Sequence, residues 1–90
     1  MRRIPKQLTI AGHTIDVEFD ELDECYGLFD PMKMKIVISN DSTKSMQWET
    51  FCHELVEAIN FFAEADLEHK SIQVFGLLLA QSLASFKHKK

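Results

Sequence analysis

Cysteine, proline and glycine are scarce: two, two and three among 90 residues, with a single Trp and a single Tyr. Cys25 and Cys52 are too few and too far apart for a disulfide framework or a CxxC pair, which points to a reducing, cytoplasmic setting. So little Gly and Pro excludes collagen-like and low-complexity chains, and a 46% hydrophobic, 27% charged balance is that of an ordinary globular domain. Long apolar runs are also missing. The segment Phe75-Gly76-Leu77-Leu78-Leu79-Ala80 falls far short of the roughly 20 residues a membrane span needs. Met1-Arg2-Arg3 leads into Ile4-Pro5-Lys6-Gln7 rather than an apolar signal core, so export is not expected.

Basic residues are few where they would matter. Arg2, Arg3 and Lys6 open the chain and Lys87, Lys89 and Lys90 close it. Residues 7–86 carry four lysines against fourteen acids, a balance of −10. Phosphate binding is driven by Lys and Arg, so nucleic acid is excluded as a partner, whereas a cation suits this body. Residues 1–90 read as one small domain whose thin core would gain from an additional staple.

The first 40 residues predict strands. Leu8-Thr9-Ile10 and Ile15-Asp16-Val17-Glu18-Phe19 alternate apolar and polar around Ala11-Gly12-His13, a hairpin signal. Cys25-Tyr26-Gly27-Leu28-Phe29 and Lys33-Met34-Lys35-Ile36-Val37-Ile38 follow on either side of an Asp30-Pro31 turn. Alternation predicts an antiparallel meander of three to four strands, covered on one face. Gly27 inside a strand marks a bulge or a close backbone approach. After the cap residues Asn40-Asp41-Ser42-Thr43, Trp48, Phe51, Cys52, Leu55, Ile59 and Phe62 recur at helical spacing, with Cys52 as a small core residue. A second helix is predicted from about Glu68 or Lys70 to Phe86, with Ile72, Phe75, Gly76, Leu79, Leu83 and Phe86 on one face. The fold class is α+β: a small antiparallel sheet followed by two helices.

The segment that carries chemistry is His53-Glu54-Leu55-Val56-Glu57. With Leu55 at zero on a helical wheel, His53 and Glu57 fall at about 160° and 200°, opposite the apolar stripe. Two ligating side chains one turn apart, with Cβ atoms about 6 Å from each other, can clasp one ion. This is the mechanical basis of HExxH, here varied to HExxE. A carboxylate reaches zinc at much the same distance as an imidazole. His69, at the start of the second helix, is the candidate third ligand, and its neighbour Glu68 is the rival. His53, Glu57 and His69 make a two-histidine, one-glutamate zinc set, leaving Glu54 as general base. An ordinary solvated helix face has the same spacing. The apolar neighbours Phe51, Cys52, Val56 and Ala58 instead place the pair between covered faces, where a shared cation offsets the buried charge. His13 in the hairpin turn and His88 in the Lys-rich tail are not assigned to the site.

The order of a sheet, then residues 48–60 (WETFCHELVEAIN), then Leu67-Glu68-His69 and a closing apolar helix resembles the minimal zincin-type metallopeptidase domains. It is similar in particular to small proteins of bacteriophages and prophages. The resemblance runs from Ile10 to Leu83. It implies a zincin-like fold, with His53 as first ligand, Glu54 as catalytic glutamate and His69 in the region of the third ligand. Glu57 falls where the second histidine of the family usually stands. It further implies a peptide or protein substrate added to a sheet edge, at residues 33–39 or 25–29. Zinc-dependent hydrolysis is the expected function. The alternative is a catalytically inactive zincin-fold module, phage-encoded, that docks on a host or phage protein.

Overall fold

The turn Ala11-Gly12 joins β1 (Gln7–Ile10) to β2 (His13–Asp20) as an antiparallel hairpin in which Ile10 faces His13. Both turn residues have positive φ, 51° and 80°, the arrangement whose twist suits flanking strands. The computed structural model describes residues 4–86; Arg2, Arg3, Lys87, His88, Lys89 and Lys90 lie outside the described residues. After β2 come β3 (Gly27–Asp30), β4 (Lys35–Ser39), α1 (Lys44–Ala63) and α2 (His69–Ala84), so the chain is α+β, four strands and then two helices.

The sheet is mixed rather than antiparallel. Its order is β1-β2-β4-β3, with β4 antiparallel to β3 and parallel to β2, Val17 facing Ile36. The β3–β4 turn is tied by the Asp30 carboxylate, which accepts the N–H groups of Met32 and Lys33 at 3.0 and 3.1 Å. This hairpin folds back so that β4 slots against β2 and β3 is left at the edge. Ile36, Val37, Ile38 and Ser39 are all buried, as befits an interior strand.

Thr43 caps α1 by accepting the Met46 N–H at 3.2 Å. Trp48, Phe51 and Cys52 pack into one core with Ile15, Val17, Ile36 and Ile38, while Ile59, expected in the stripe, is 46% exposed. The helix ends at Glu64 in the left-handed conformation, and the Asn60 side chain accepts the Leu67 N–H at 2.9 Å across the connection. Helix α2 then returns along α1. Its buried line is Ile72, Gly76 and Ala80, and the Trp48 indole N–H donates to the Ala80 carbonyl at 2.9 Å. Small residues at this seam let the helices close up, which turns Phe75 outward to 48% exposure instead of into the core. Among the described residues no helix is long and apolar enough to cross a membrane.

Candidate functional site

Two glycines bring three elements together. At Gly27 on β3, an added Cβ would stand 2.5 Å from Thr50 Cγ2, 3.1 Å from the Val37 carbonyl oxygen and 3.4 Å from Glu54 Cγ. The close approach expected at Gly27 is therefore made by α1, whose Thr50 and Glu54, one turn apart, lie on the edge strand. At Gly76 on α2, an added Cβ would stand 2.8 Å from His53 Cα. The HExxE segment is thus held between the sheet edge and the second helix.

A cavity of about 680 Å³ opens there, and His53, Glu54, Glu57 and His69 all line it. Cys25 through Phe29 form one wall, and Gln73 and Leu77 of α2 contribute to another. Glu49, Glu54 and Glu57 reach it, while no Lys or Arg among the described residues does. Of the two rivals at the start of α2, His69 lines the cavity and Glu68, the cap residue, does not. His13 is elsewhere, stacked on Phe62 at 5.1 Å. Cys52 is fully buried in the core, and burial pushes its thiol up to about 11; Cys25 is an exposed free thiol.

Glu54 is the unusual member. It is 7% exposed, and its carboxylate forms no hydrogen bond with any described residue. No fully buried side-chain oxygen or nitrogen is left without a partner among the described residues, so the Glu54 oxygens stay open to the cavity. Burial, and then the charge of Glu57, push its carboxyl from 4.5 up to about 7. Glu54 therefore exchanges protons near neutrality, as a general base or acid must.

His53, Glu57 and His69 are donor types that zinc takes and they line one cavity, but they are not gathered around a common point. Among the described residues, no group of three or more His, Cys, Asp and Glu side chains stands in metal-holding range. The His53 and His69 rings meet edge to face with centroids 5.9 Å apart. Two imidazoles on one tetrahedral zinc have ring centres about 5 Å apart, given Zn–N distances near 2 Å. His69 is exposed. The sequence pattern did not single out Glu49, Gln73, Leu77 or the Gly76 contact. The pairing of Thr50 with Glu54 at one-turn spacing, beside a strand glycine, was the signal available for the buried Glu54.

Comparison of the chain with protein-family models, curated proteins and solved structures finds no match.

Proposed function

We propose that this chain is a zinc-dependent hydrolase of the metallopeptidase kind, with His53, Glu57 and His69 as ligands and Glu54 as general base. The observation that carries the reading is Glu54: a buried carboxylate without a partner, open to a cavity that it shares with two histidines and a second carboxylate. A largely buried carboxyl with a raised pKa, facing a cleft beside other titratable groups, is the kind of group that ligand sites and reaction sites contain. A zinc ion, when bound, supplies Lewis acidity toward water and a carbonyl oxygen. The protein's own part is proton transfer. In its ionised form, which a neighbouring cation favours, a Glu54 oxygen facing the cavity would accept a proton from the attacking water. The same oxygen then returns that proton to the departing amine nitrogen. His53 and Glu57 are fixed by α1, and His69 enters from α2, so a ligand set drawn from both helices ties them together.

Substrate fits along β3. This strand is an edge, Gly27–Asp30, and it walls the cavity, so an extended peptide pairing with it would run past Glu54. A reducing, cytoplasmic setting suits the exposed Cys25 thiol. A phage or prophage source belongs to the same proposal and rests on the resemblance of residues 10–83.

A second reading, an inactive module that holds a peptide without cleaving it, is favoured by the open ligand set and by a glutamate at position 57. One experiment separates them. Protein prepared with zinc is expected to hold one ion per chain, lost in His53→Ala and His69→Ala. Glu54→Gln is expected to keep zinc and lose cleavage of an unstructured protein. A folded wild-type chain without zinc would overturn the metal site, and zinc without cleavage would leave the docking module standing.

A further inference from the structure

Helix α2 is apolar on both sides. Opposite its buried line of Ile72, Gly76 and Ala80 lie Val74 and Leu78, one turn apart, flanked by Phe75 and Leu77. These four side chains are 46%, 53%, 48% and 44% exposed. They present roughly 350 Å² of apolar surface, within the range of the largest patch on an ordinary monomer, which is often a functional one. A helix that is hydrophobic all round is normally covered all round.

Charge indicates what covers it. From Ser71 to Phe86 there is no charged residue, whereas the rest of the chain holds all fourteen acids and the net charge is −4. Two copies repel wherever their acidic surfaces face each other. The outer side of α2 is where they can meet without like-charge contacts, and an isologous pairing needs only one self-complementary patch. The exposed Gln81 and Ser85 continue the Val74–Leu78 line as its polar end, and Ser82 lies beside it. The two apolar patches supply roughly 700 Å² and the polar neighbours bring the total to about 1,000 Å², the size of a weak, reversible interface.

We propose that the chain forms a two-fold dimer through the outer face of α2, with Leu78 at the axis against its own copy. The pairing is independent of any metal, since it uses none of His53, Glu54, Glu57 or His69. Leu77 is shared between this face and the cavity, so the second copy stands beside the mouth of the site.

Sedimentation equilibrium on the wild-type chain from about 1 to 100 μM tests this, because interfaces of this size commonly hold at micromolar concentration. Twice the mass of one chain is expected, with an association that does not weaken as salt rises. Leu78→Glu places two carboxylates at the axis and is expected to weaken the dimer at least about 100-fold, within the range of interface hot spots. Circular dichroism checks that this variant is folded; should it not be, Val74→Ser gives the same reading with a smaller shift. A wild-type monomer across the range overturns the proposal, as does a dimer that a folded Leu78→Glu or Val74→Ser variant leaves intact.

Discussion

Gly76 of α2 lies so close to His53 of α1 that a Cβ there would stand 2.8 Å from His53 Cα and 3.2 Å from its backbone nitrogen. Both neighbours are backbone atoms in mid-helix and neither can swing aside. The distance between the two helices at the first candidate ligand is therefore set by the absence of one methyl group. His69, near the start of the same helix, is placed against His53 by that contact, with ring centroids 5.9 Å apart.

Gly76→Ala is accordingly expected to destabilise, although alanine is the better helix former by about 1 kcal/mol. Overpacking against backbone costs about 1–3 kcal/mol, so a net loss should remain, with a fall in Tm of several degrees for a chain this small. Thermal unfolding followed by circular dichroism checks it. Zinc affinity should fall as well, because the two histidines are moved apart.

At Gly27 the obstructing atom is a side-chain methyl, Thr50 Cγ2 at 2.5 Å, with the Val37 carbonyl oxygen at 3.1 Å behind it. Gly27→Ala should cost about 1–3 kcal/mol. Thr50→Ser removes the methyl, so the double variant should be more stable than the sum of the two single effects, by about 1 kcal/mol of coupling. Urea unfolding of the four members of the cycle measures this. Strict additivity would mean that α1 and β3 are not in the contact described.

The legibility of this chain differs from element to element. The hairpin and the cap of α1 within residues 40–43 were readable because each rests on local chemistry: alternation and a hydroxyl acceptor. The strand order was not. Alternation says which face of a strand is covered but not which strand lies beside it, and only the unbroken Ile36-Val37-Ile38 hinted that β4 is interior. Of the face expected for α2, Ile72, Gly76, Leu79 and Leu83 do turn inward, whereas Phe75 and Phe86 are exposed, because apolar residues lie on several sides of the helix. The position of the seam was decided instead by the smallness of Gly76 and Ala80, which a hydrophobic period does not register. His53, Glu54, Glu57 and His69 were legible from spacing and meet at one cavity, but the burial of Glu54 depends on Gly27, a contact between distant parts of the chain.

That burial gives the metal-free protein a pH dependence of definite sign. The folded carboxyl of Glu54 stands at about 7 against 4.5 for the free group, so between these values the folded state binds more protons than the unfolded one. The contribution is fully present below pH 4.5 and is lost as pH rises through 7, amounting to on the order of 3 kcal/mol. In chelator, wild type should therefore gain stability relative to Glu54→Gln as pH is lowered from 8 to 5. Parallel urea unfolding of the two proteins at both pH values measures it. An unchanged difference would mean that Glu54 is well solvated.

Zinc should reverse this behaviour and distinguish His69 from Glu68. A ligand that binds only the folded state stabilises it by about 2.7 kcal/mol at a hundred times its dissociation constant. For a domain of this size that raises Tm by roughly 10 °C or more. Glu68 is exposed, stands at the N-cap position of α2 without a capping hydrogen bond and does not line the cavity, whereas His69 does. Glu68→Ala is therefore expected to keep the full zinc-induced rise in Tm, and His69→Ala to lose most of it, each compared with its own chelated form. Because the ligands would come from both helices, EDTA should lower the unfolding temperature of α1 and α2 together, read as one helical transition. A rise in Tm that survives in His69→Ala but disappears in Glu68→Ala would transfer the third ligand to the neighbouring residue, and with it the way α2 closes over the cavity.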